Sequence, residues 1–539
     1  MRLSPLAQVL SLSTMVLLLT ACNDNNDSDN TPVIRDVTPP LLTTNSDFDD
    51  STTAVAASFI SGQVQDTGGI KSLTYGVNDN PIQTLSLDAD GNFTDTILLA
   101  LGDNQVTLTA TDNADNITTS TKTLYLGDTI AAGGSHTGAL RAGHLYGWGR
   151  NNYGQTGLGS VTKLSENNNS VIPLHPNTPF MMSSTPIDLI SIGFNQNHSL
   201  AIAQDGRVYS WGEDKSGQLG RGDLGRDNCS STEDCRLDIG AIANIENAVM
   251  VAPGYSHNLV LTQDGTVWAM GANGQGQLGN ATITSSSSSI PVKVDFSAAT
   301  DIGHIVQVAV SSGSSYALDD KGQVWGWGSD DYANLGKGIA CTTANNCINE
   351  NPVPVRITVI TDTATDEKVT QLAAGRDHVL ALTNKESVYG WGLNSSSQVG
   401  YNGQQFKDTE NAWDRTITAP TKLPWFADKK VKRVYANGNS SYVLLNNGKV
   451  YPWGMFGETN SEGRTIYNNL DEPTDNLPSL TDIENIGMGA LHLIAQDKSD
   501  HLYTWGWSFE GSIGSKLATN IWMYNVPFSI SLPTQSAVN

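Results

Sequence analysis

Five histidines, His136, His198, His257, His378 and His492, recur along residues 127–539, each one or two repeat lengths from the last. Imidazoles are common metal ligands and general bases near neutral pH, so a ring of them is the first candidate for chemistry. Each falls at the same point of its own repeat, however, and Ser315 and Ser441 replace it in two repeats. Equivalent points of separate units lie far apart, and serine is a poor substitute for a metal-binding imidazole. The pattern predicts a hydrogen bond from His or Ser to a neighbouring turn. Four cysteines form two close pairs in long loops, Cys229 with Cys235 and Cys341 with Cys347, each with five residues between. Such pairs read as local disulfides of an oxidising compartment. Zinc is the competing reading, but neither loop holds a His and the spacing exceeds that of the usual Cys pairs. The sequence contains no Gly-x-Ser-x-Gly elbow, phosphate loop or His-Glu-x-x-His helix. No catalytic residue, metal or cofactor is therefore expected, although a channel that gathers residues from several units keeps an enzyme as an alternative.

The elements that carry these residues repeat. LYGWG, VYSWG, VWAMG, VWGWG, VYGWG, VYPWG and LYTWG place Trp148, Trp211, Met270, Trp327, Trp391, Trp453 and Trp505 in register, roughly 52 to 64 residues apart. Met270 fills the same slot as Trp, which argues for packing rather than chemistry. Ahead of each phrase stands a strand ending in a Gly-x-x-His turn or its variant, then a second strand and a tight turn such as Asp205-Gly206 or Asn447-Gly448. Behind it comes a Gly-Gln-Leu-Gly type loop, clearest at Gly217 to Gly220 and Gly276 to Gly279. Alternating strands joined by such turns are antiparallel hairpins, so each repeat is a small sheet. These residues resemble the regulator of chromosome condensation repeat, over about residues 127–539. The resemblance implies an all-β fold with a seven-bladed β-propeller. Pro-bearing strands occur between repeats but not before the first, so VPFSISL, Val526 to Leu532, is expected to join the first blade and close the ring.

Residues 38–126 read as a separate, cysteine-free β-sandwich, with alternating runs such as VAASFISGQVQ and QVTLTATD broken by Asp, Asn and Gly turns. They resemble the bacterial immunoglobulin-like modules that space or present a neighbouring domain. Residues 1–21 combine Arg2, a short apolar run from Leu6 to Leu19 and small residues, the form of a cleaved signal. Leu19-Thr20-Ala21-Cys22 is similar to a bacterial lipobox. This implies a lipidated Cys22, a polar tether over residues 22–37 and, with Asn23 next, an outer-membrane lipoprotein facing the periplasm or the cell surface.

The formal net charge is −24, which repels phosphate backbones. Lys429 to Arg433 is the one basic cluster and reads as a strand, so no nucleic-acid partner is expected. Guanine-nucleotide exchange, which the family resemblance also implies, requires a cytoplasmic GTPase that an exported chain would not meet. What remains is a rigid disc, expected as a monomer, whose turns after each Trp-Gly vary. If the blades are equivalent, those turns share one face. Tyr153, Tyr332, Phe456, Trp507 and Phe509, with Trp413, Trp425 and Phe426 from an insertion in repeat five, are the aromatic types that anchor a protein or glycan partner. The expected partner is an envelope or extracellular protein, with a glycan as the other possibility.

Overall fold

The computed structural model describes residues 36–44, 51–53, 55–141, 143–162, 175–182, 187–223, 225–230, 233–338, 350–360, 366–400, 416–459, 465–475, 477, 479–515 and 523–533. It is almost entirely β. Two sheets come first. One orders Leu41–Thr44, Ala57–Gln65 and Asn92–Leu98, and the other orders Ser51–Thr53, Ile117–Leu126, Gly102–Asp112, Ile70–Val77 and Gln83–Leu85. Period-2 alternation explains their packing, because Val106, Leu108 and Ala110 on one strand all turn inward. They meet Ile60, Val64 and Ile97 from the opposite sheet in a common core.

Among the described residues the other seven sheets fall one to each repeat, each holding four or five strands. In the second, Leu189–Asn195, His198–Ala203, Val208–Glu213 and Glu233–Ala241 follow one another, and Ser199 pairs with Trp211 and His198 with Gly212. The Gly of each Trp-Gly phrase has a backbone reason. Gly212 sits at φ +101, where a Cβ would stand 2.6 Å from the carbonyl oxygen of Asn197, so only glycine lets the two strands close up there.

Every innermost strand from blade two to blade seven carries a bulge at its second residue, for example between Ile305 and Gln307 or between Val369 and Gln371. In blades three to six the residue after the bulge, Met250, Gln307, Gln371 or Arg433, reaches the next blade. Gln307 donates to the carbonyl of Leu372 at 3.0 Å and accepts from its amide at 2.7 Å. Gln371 does the same to Val434 at 3.2 and 3.0 Å.

The ring closes differently from the sequence expectation. The last strand, Met523–Ile530, pairs with Leu502–Trp507 and completes the seventh sheet. The first sheet is built locally from Ile130–Ala132, His136–Arg141, His144–Gly149 and Phe180–Met181. Each Pro-bearing strand is the outer strand of the repeat before it, antiparallel to that repeat's Trp-Gly strand, so no strand needs to come round from the C-terminus. The seam is closed by side chains and turns instead: Thr137 Oγ1 with His492 Nε2 at 2.7 Å, Trp148 Nε1 to the Ser512 carbonyl at 2.9 Å, and the Ala490 amide to the Gly133 carbonyl at 3.0 Å.

The sandwich is seated on one end of the ring, where the innermost strands begin. Ala56 donates its amide to the Val306 carbonyl at 2.8 Å and Tyr125 its hydroxyl to the Ile190 carbonyl at 2.6 Å. Val55 and Ala57 share an apolar cluster with Val306 and Val369. The opposite end carries the Gly-x-x-His turns and the loops after Trp-Gly.

Candidate binding face

The loops after Trp-Gly follow one construction. An Asn or Asp at the loop start accepts, through Oδ1, the amide five residues on: Asn151 from Thr156 at 3.0 Å, Asp214 from Leu219 at 3.1 Å, Asn273 from Leu278 at 3.1 Å, Asp330 from Leu335 at 2.9 Å and Asn394 from Val399 at 2.9 Å. The Gln of Gly-Gln-Leu-Gly folds back to the amide two residues before it, as Gln218 does for Ser216 at 2.8 Å and Gln277 for Gln275 at 2.7 Å. The Gln carbonyl then faces the next blade. Gln155 O accepts from Ser199 Oγ and from Trp211 Nε1, both at 2.9 Å, and Gln277 O accepts from Ser315 at 2.8 Å and Trp327 at 2.9 Å. Where Met270 replaces Trp, Asn258 Nδ2 alone reaches Gln218 O, at 2.6 Å.

The histidines complete this relay. His136 Nε2 meets Ser199 Oγ at 3.0 Å, His198 meets Asn258 Oδ1 at 2.8 Å, His257 meets Ser315 at 2.9 Å, His378 meets Ser441 at 2.8 Å and His492 meets Thr137 at 2.7 Å. Every pair joins one blade to the next. Because Asn258 Nδ2 is committed to Gln218, its Oδ1 is the atom facing His198, and His198 Nε2 must carry the proton. The imidazoles are fully buried, and that burial pushes His198 and His492 down to about 4 and His257 and His378 down to about 3, with His136 also well below its ordinary value. They are neutral structural links held by hydrogen bonds as expected, but their partners are strand residues of the next blade and not a neighbouring turn.

One register detail is corrected. The residues equivalent to the histidines are Ser314 and Ser440, the first residues of their strands, whereas Ser315 and Ser441 are the acceptors one place on. The Gly of Gly-x-x-His also gains a reason: a Cβ on Gly375 would collide with Cε1 of His378, because the ring folds back over the turn.

This packing keeps only part of the expected aromatic face. Tyr153 and Phe456 are each 8% exposed. Tyr153 lies inside the first interlocked loop, with its amide bonded to Gln155 at 2.9 Å. Phe456 lies in a strand that runs on from Trp453 into a hairpin, opposite Asn468. Trp425 and Phe426 belong to the short turn Pro424–Phe426 at the sandwich end of blade five, where Phe426 is buried 5.7 Å from the Trp453 ring. Tyr332 and Trp507 are half-buried on the loop end, and Phe509 opens a short 3-10 turn there. Trp413, Cys22, Cys341 and Cys347 lie outside the described residues. Cys229 and Cys235 face each other across the Asp227–Ser230 and Glu233–Ala241 hairpin with Cα atoms 5.9 Å apart, the separation a disulfide spans.

The exposed chemistry of this end lies elsewhere, at the central residues of the Gly-x-x-His turns. From blade one to blade seven these are Gly134, Gln196, Tyr255, Ser312, Arg376, Gly438 and Ala490. Several are tied backbone to backbone into a rim: Gly134 to Gln196 at 3.0 Å, Ser312 to Arg376 at 2.9 Å and Arg376 to Gly438 at 2.8 Å. Blades six, seven and one present almost bare backbone, whereas blades two to five present side chains. Tyr255 is 48% exposed and the Arg376 side chain 60%. Around Arg376, Asp377 accepts from Ser312 at 2.8 Å and pairs with Nε at 3.2 Å, while Gln275 donates to Asp331 at 3.0 Å. Burial raises the Asp377 carboxyl above its ordinary value. The variable residue between Gly and His was visible in each repeat, and its variation was the available signal.

Among the described residues, one group could offer oxygens to a cation: Asp36, Asp66 and Asp112 of the sandwich, with ligand atoms within 4.8 Å of one another. These carboxylates already hold turns, Asp36 through Thr38 at 3.0 Å, Asp66 through Gly68 at 2.7 Å and Asp112 through Asn116 at 2.8 Å.

Comparison with known proteins bears on both parts of the chain. The RCC1-like domain family matches residues 225–538, and regulator of chromosome condensation repeats match residues 142–202 and 189–218. Glucodextranase domain B matches residues 40–127. The ultraviolet-B receptor UVR8 of Arabidopsis thaliana is 27% identical over 74% of this chain and 81% of its own. The human E3 ubiquitin-protein ligase HERC2 is 28% identical over 58% of this chain but only 6% of its own. Human WBSCR16 superposes with a TM-score of 0.57 at 22% identity, covering 73% of this chain and 95% of that one. Prp20p of Saccharomyces cerevisiae, whose structure was described with its binding to Gsp1p and histones, superposes at 0.56 and 20% identity, covering 77% and 88%.

Proposed function

Because the chain belongs to the RCC1-like domain family, we propose that it is a protein-binding propeller that uses the rim around Tyr255 and Arg376. The observation that carries this reading is the inequality of the two ends. The sandwich occupies one end, while the other presents Tyr255, Arg376 and half-buried Tyr332 on a hydrogen-bonded frame. Tyr and Arg are the residues that most often dominate protein interfaces, and a fixed frame lowers the ordering cost of binding.

The proposal extends to place. Cys22 is the lipidated residue of an outer-membrane lipoprotein, the sandwich presents the propeller to an envelope or extracellular protein, and the Cys229–Cys235 and Cys341–Cys347 pairs are oxidised there. The loops and histidines serve as structure, which favours a binding protein over an enzyme. A photo-reactive side chain placed at position 255 in intact cells should capture a partner, and R376A should abolish capture in a protein of unchanged melting temperature. A single interface anchor contributes on the order of 2 kcal/mol. Capture that survives R376A together with Y332A would overturn the rim as the binding surface. Cys22→Ser should release the protein from the membrane fraction, and unchanged fractionation would remove the anchor from the reading.

A further inference from the structure

The phrase that carries each Trp-Gly also places an aromatic ring two positions earlier in the repeat, and two of those rings are tryptophans with opposite surroundings. Trp325 of blade four is 3% exposed. The connection before blade four lays Phe296, Ala299 and Ile302 into its cluster, and Trp325 Nε1 donates to Asp319 Oδ2 at 3.2 Å. Trp268 of blade three has a shorter connection ahead of it, through Asn244, Ile245, Glu246 and Asn247, and is half-buried, packed at the edge of an apolar cluster that includes Ile245 and Val260. It lines an open groove of about 630 Å³ together with Asn244, Glu246, Asn247, Gln263, Asp264 and Lys293.

We propose that this groove is a binding site for a neutral saccharide, separate from the rim at the other end of the ring. A sugar ring presents a flat face of C–H groups and an edge of hydroxyls that both donate and accept. The groove offers the matching set. Trp268 supplies an indole that is amphipathic, apolar over its body with one N–H donor. Asn244, Asn247 and Gln263 each carry a donor and an acceptor on one planar group, whereas Asp264 and Glu246 accept and Lys293 donates. Asp264 is fixed in place, accepting from the Thr262 hydroxyl at 2.6 Å and the Thr266 amide at 3.0 Å. Lys293 Nζ lies 5.0 Å from the Trp268 ring centre, a cover that an exposed lysine gives up readily. The volume lies within the range of about 300–1,000 Å³ usual for small-molecule sites. The two acidic side chains and the single lysine leave the groove without the positive field that an anionic or phosphorylated ligand requires.

The test is saturation-transfer NMR on the full mature chain with three neutral probes, maltotriose, cellotriose and chitotriose. At least one should receive saturation, and Trp268→Ala, in a chain that still unfolds cooperatively, should weaken its binding by about tenfold or more. Tyr389→Ala, the same strand position in blade five, should leave binding as it was. Transfer to none of the three at about 10 mM, or binding equal in Trp268→Ala and the parent, overturns the proposal. Neither outcome touches the rim, whose test reads protein capture.

Discussion

Blades one and two are joined differently from blades six and seven, although the same repeat builds all four. Between the first pair runs the full relay of His136, Ser199, the Gln155 carbonyl and Trp211. Between the last pair Ser440 turns to its own blade, donating to Met455 at 2.7 Å, and Leu493 stands where Ser199 stands. The strand Val450–Thr459 continues into a hairpin with Thr465–Leu470 in place of the interlocked loop, so no loop carbonyl reaches Trp505. Trp505 Nε1, Asn439 Oδ1 and Asn485 Nδ2 are buried there without a well-formed hydrogen bond. That interface rests on an apolar cluster of Tyr442, Leu444, Leu477, Leu480 and Trp505, with Asn437 donating to Met488 at 2.6 Å. The comparison teaches that the repeat has two ways to bind blade to blade. One is a polar relay that fixes register and requires neutral histidine, and the other is apolar burial with a few side-chain hydrogen bonds at its edge.

Acid should separate the two kinds of interface with the largest effect. The relay histidines have folded values pushed by burial well below the ordinary 6.5, to about 4 for His198 and His492 and about 3 for His257 and His378. Their stability is complete above pH 6.5 and is lost as the pH falls from there through those folded values, because the unfolded chain takes up the protons first. Each contributes on the order of 3 kcal/mol, and several together rival the roughly 5–15 kcal/mol total of a typical domain. Asp128, which burial pushes up to about 6 despite Arg433 nearby, and Asp214, Asp330 and Asp377, also raised by burial, act in the opposite sense, while His175, lowered by burial to about 4, acts with the relay histidines. The urea midpoint should therefore drop steeply between pH 7 and pH 4, and less steeply in His198→Gln. A midpoint that stays level would remove the neutral-histidine account.

At constant pH the relay can be cut directly. His198→Leu leaves Asn258 Oδ1 without its imidazole donor and should cost about 2 kcal/mol, whereas Ser440→Ala at the equivalent place in blade six should cost under about 1 kcal/mol. Equal losses in chemical denaturation would mean that the two interfaces do not differ as described. The finest contrast is between two tryptophans. Trp211→Phe deletes a donor bonded to Gln155 and should cost about 1 kcal/mol beyond the loss of ring volume. Trp505→Phe deletes a buried donor that lacks such a carbonyl and should cost less. A larger loss for Trp505→Phe would show that the hairpin of blade six supplies a bond of its own.

The candidate face was only partly legible in the chain. Turn chemistry correctly marked the loop holding Tyr153, but a loop was read as an exposed tip when its interior is closed by Asn151, Gln155 and the neighbouring blade. Phe456 reads as a loop residue because it follows Trp-Gly, where the other repeats leave the strand for a loop, whereas here the strand runs on and pairs Phe456 with Asn468. Tyr255 was passed over inside the Gly-x-x-His turn, although it is the residue left in solvent.

By itself the sequence determined the repeat, the strands, the Trp-Gly register and the separate sandwich. Those follow from local periodicity and from glycine positions that forbid a Cβ, and both are written in consecutive residues. Tertiary structure alone decided which strand completes which sheet, where the sandwich sits, that the histidines reach the next blade, and which aromatic rings stay in water. Each of those depends on groups brought together from about sixty residues away or from the other end of the chain, as Thr137 and His492 are. Burial is a property of that assembly, and a side chain's own type does not fix it.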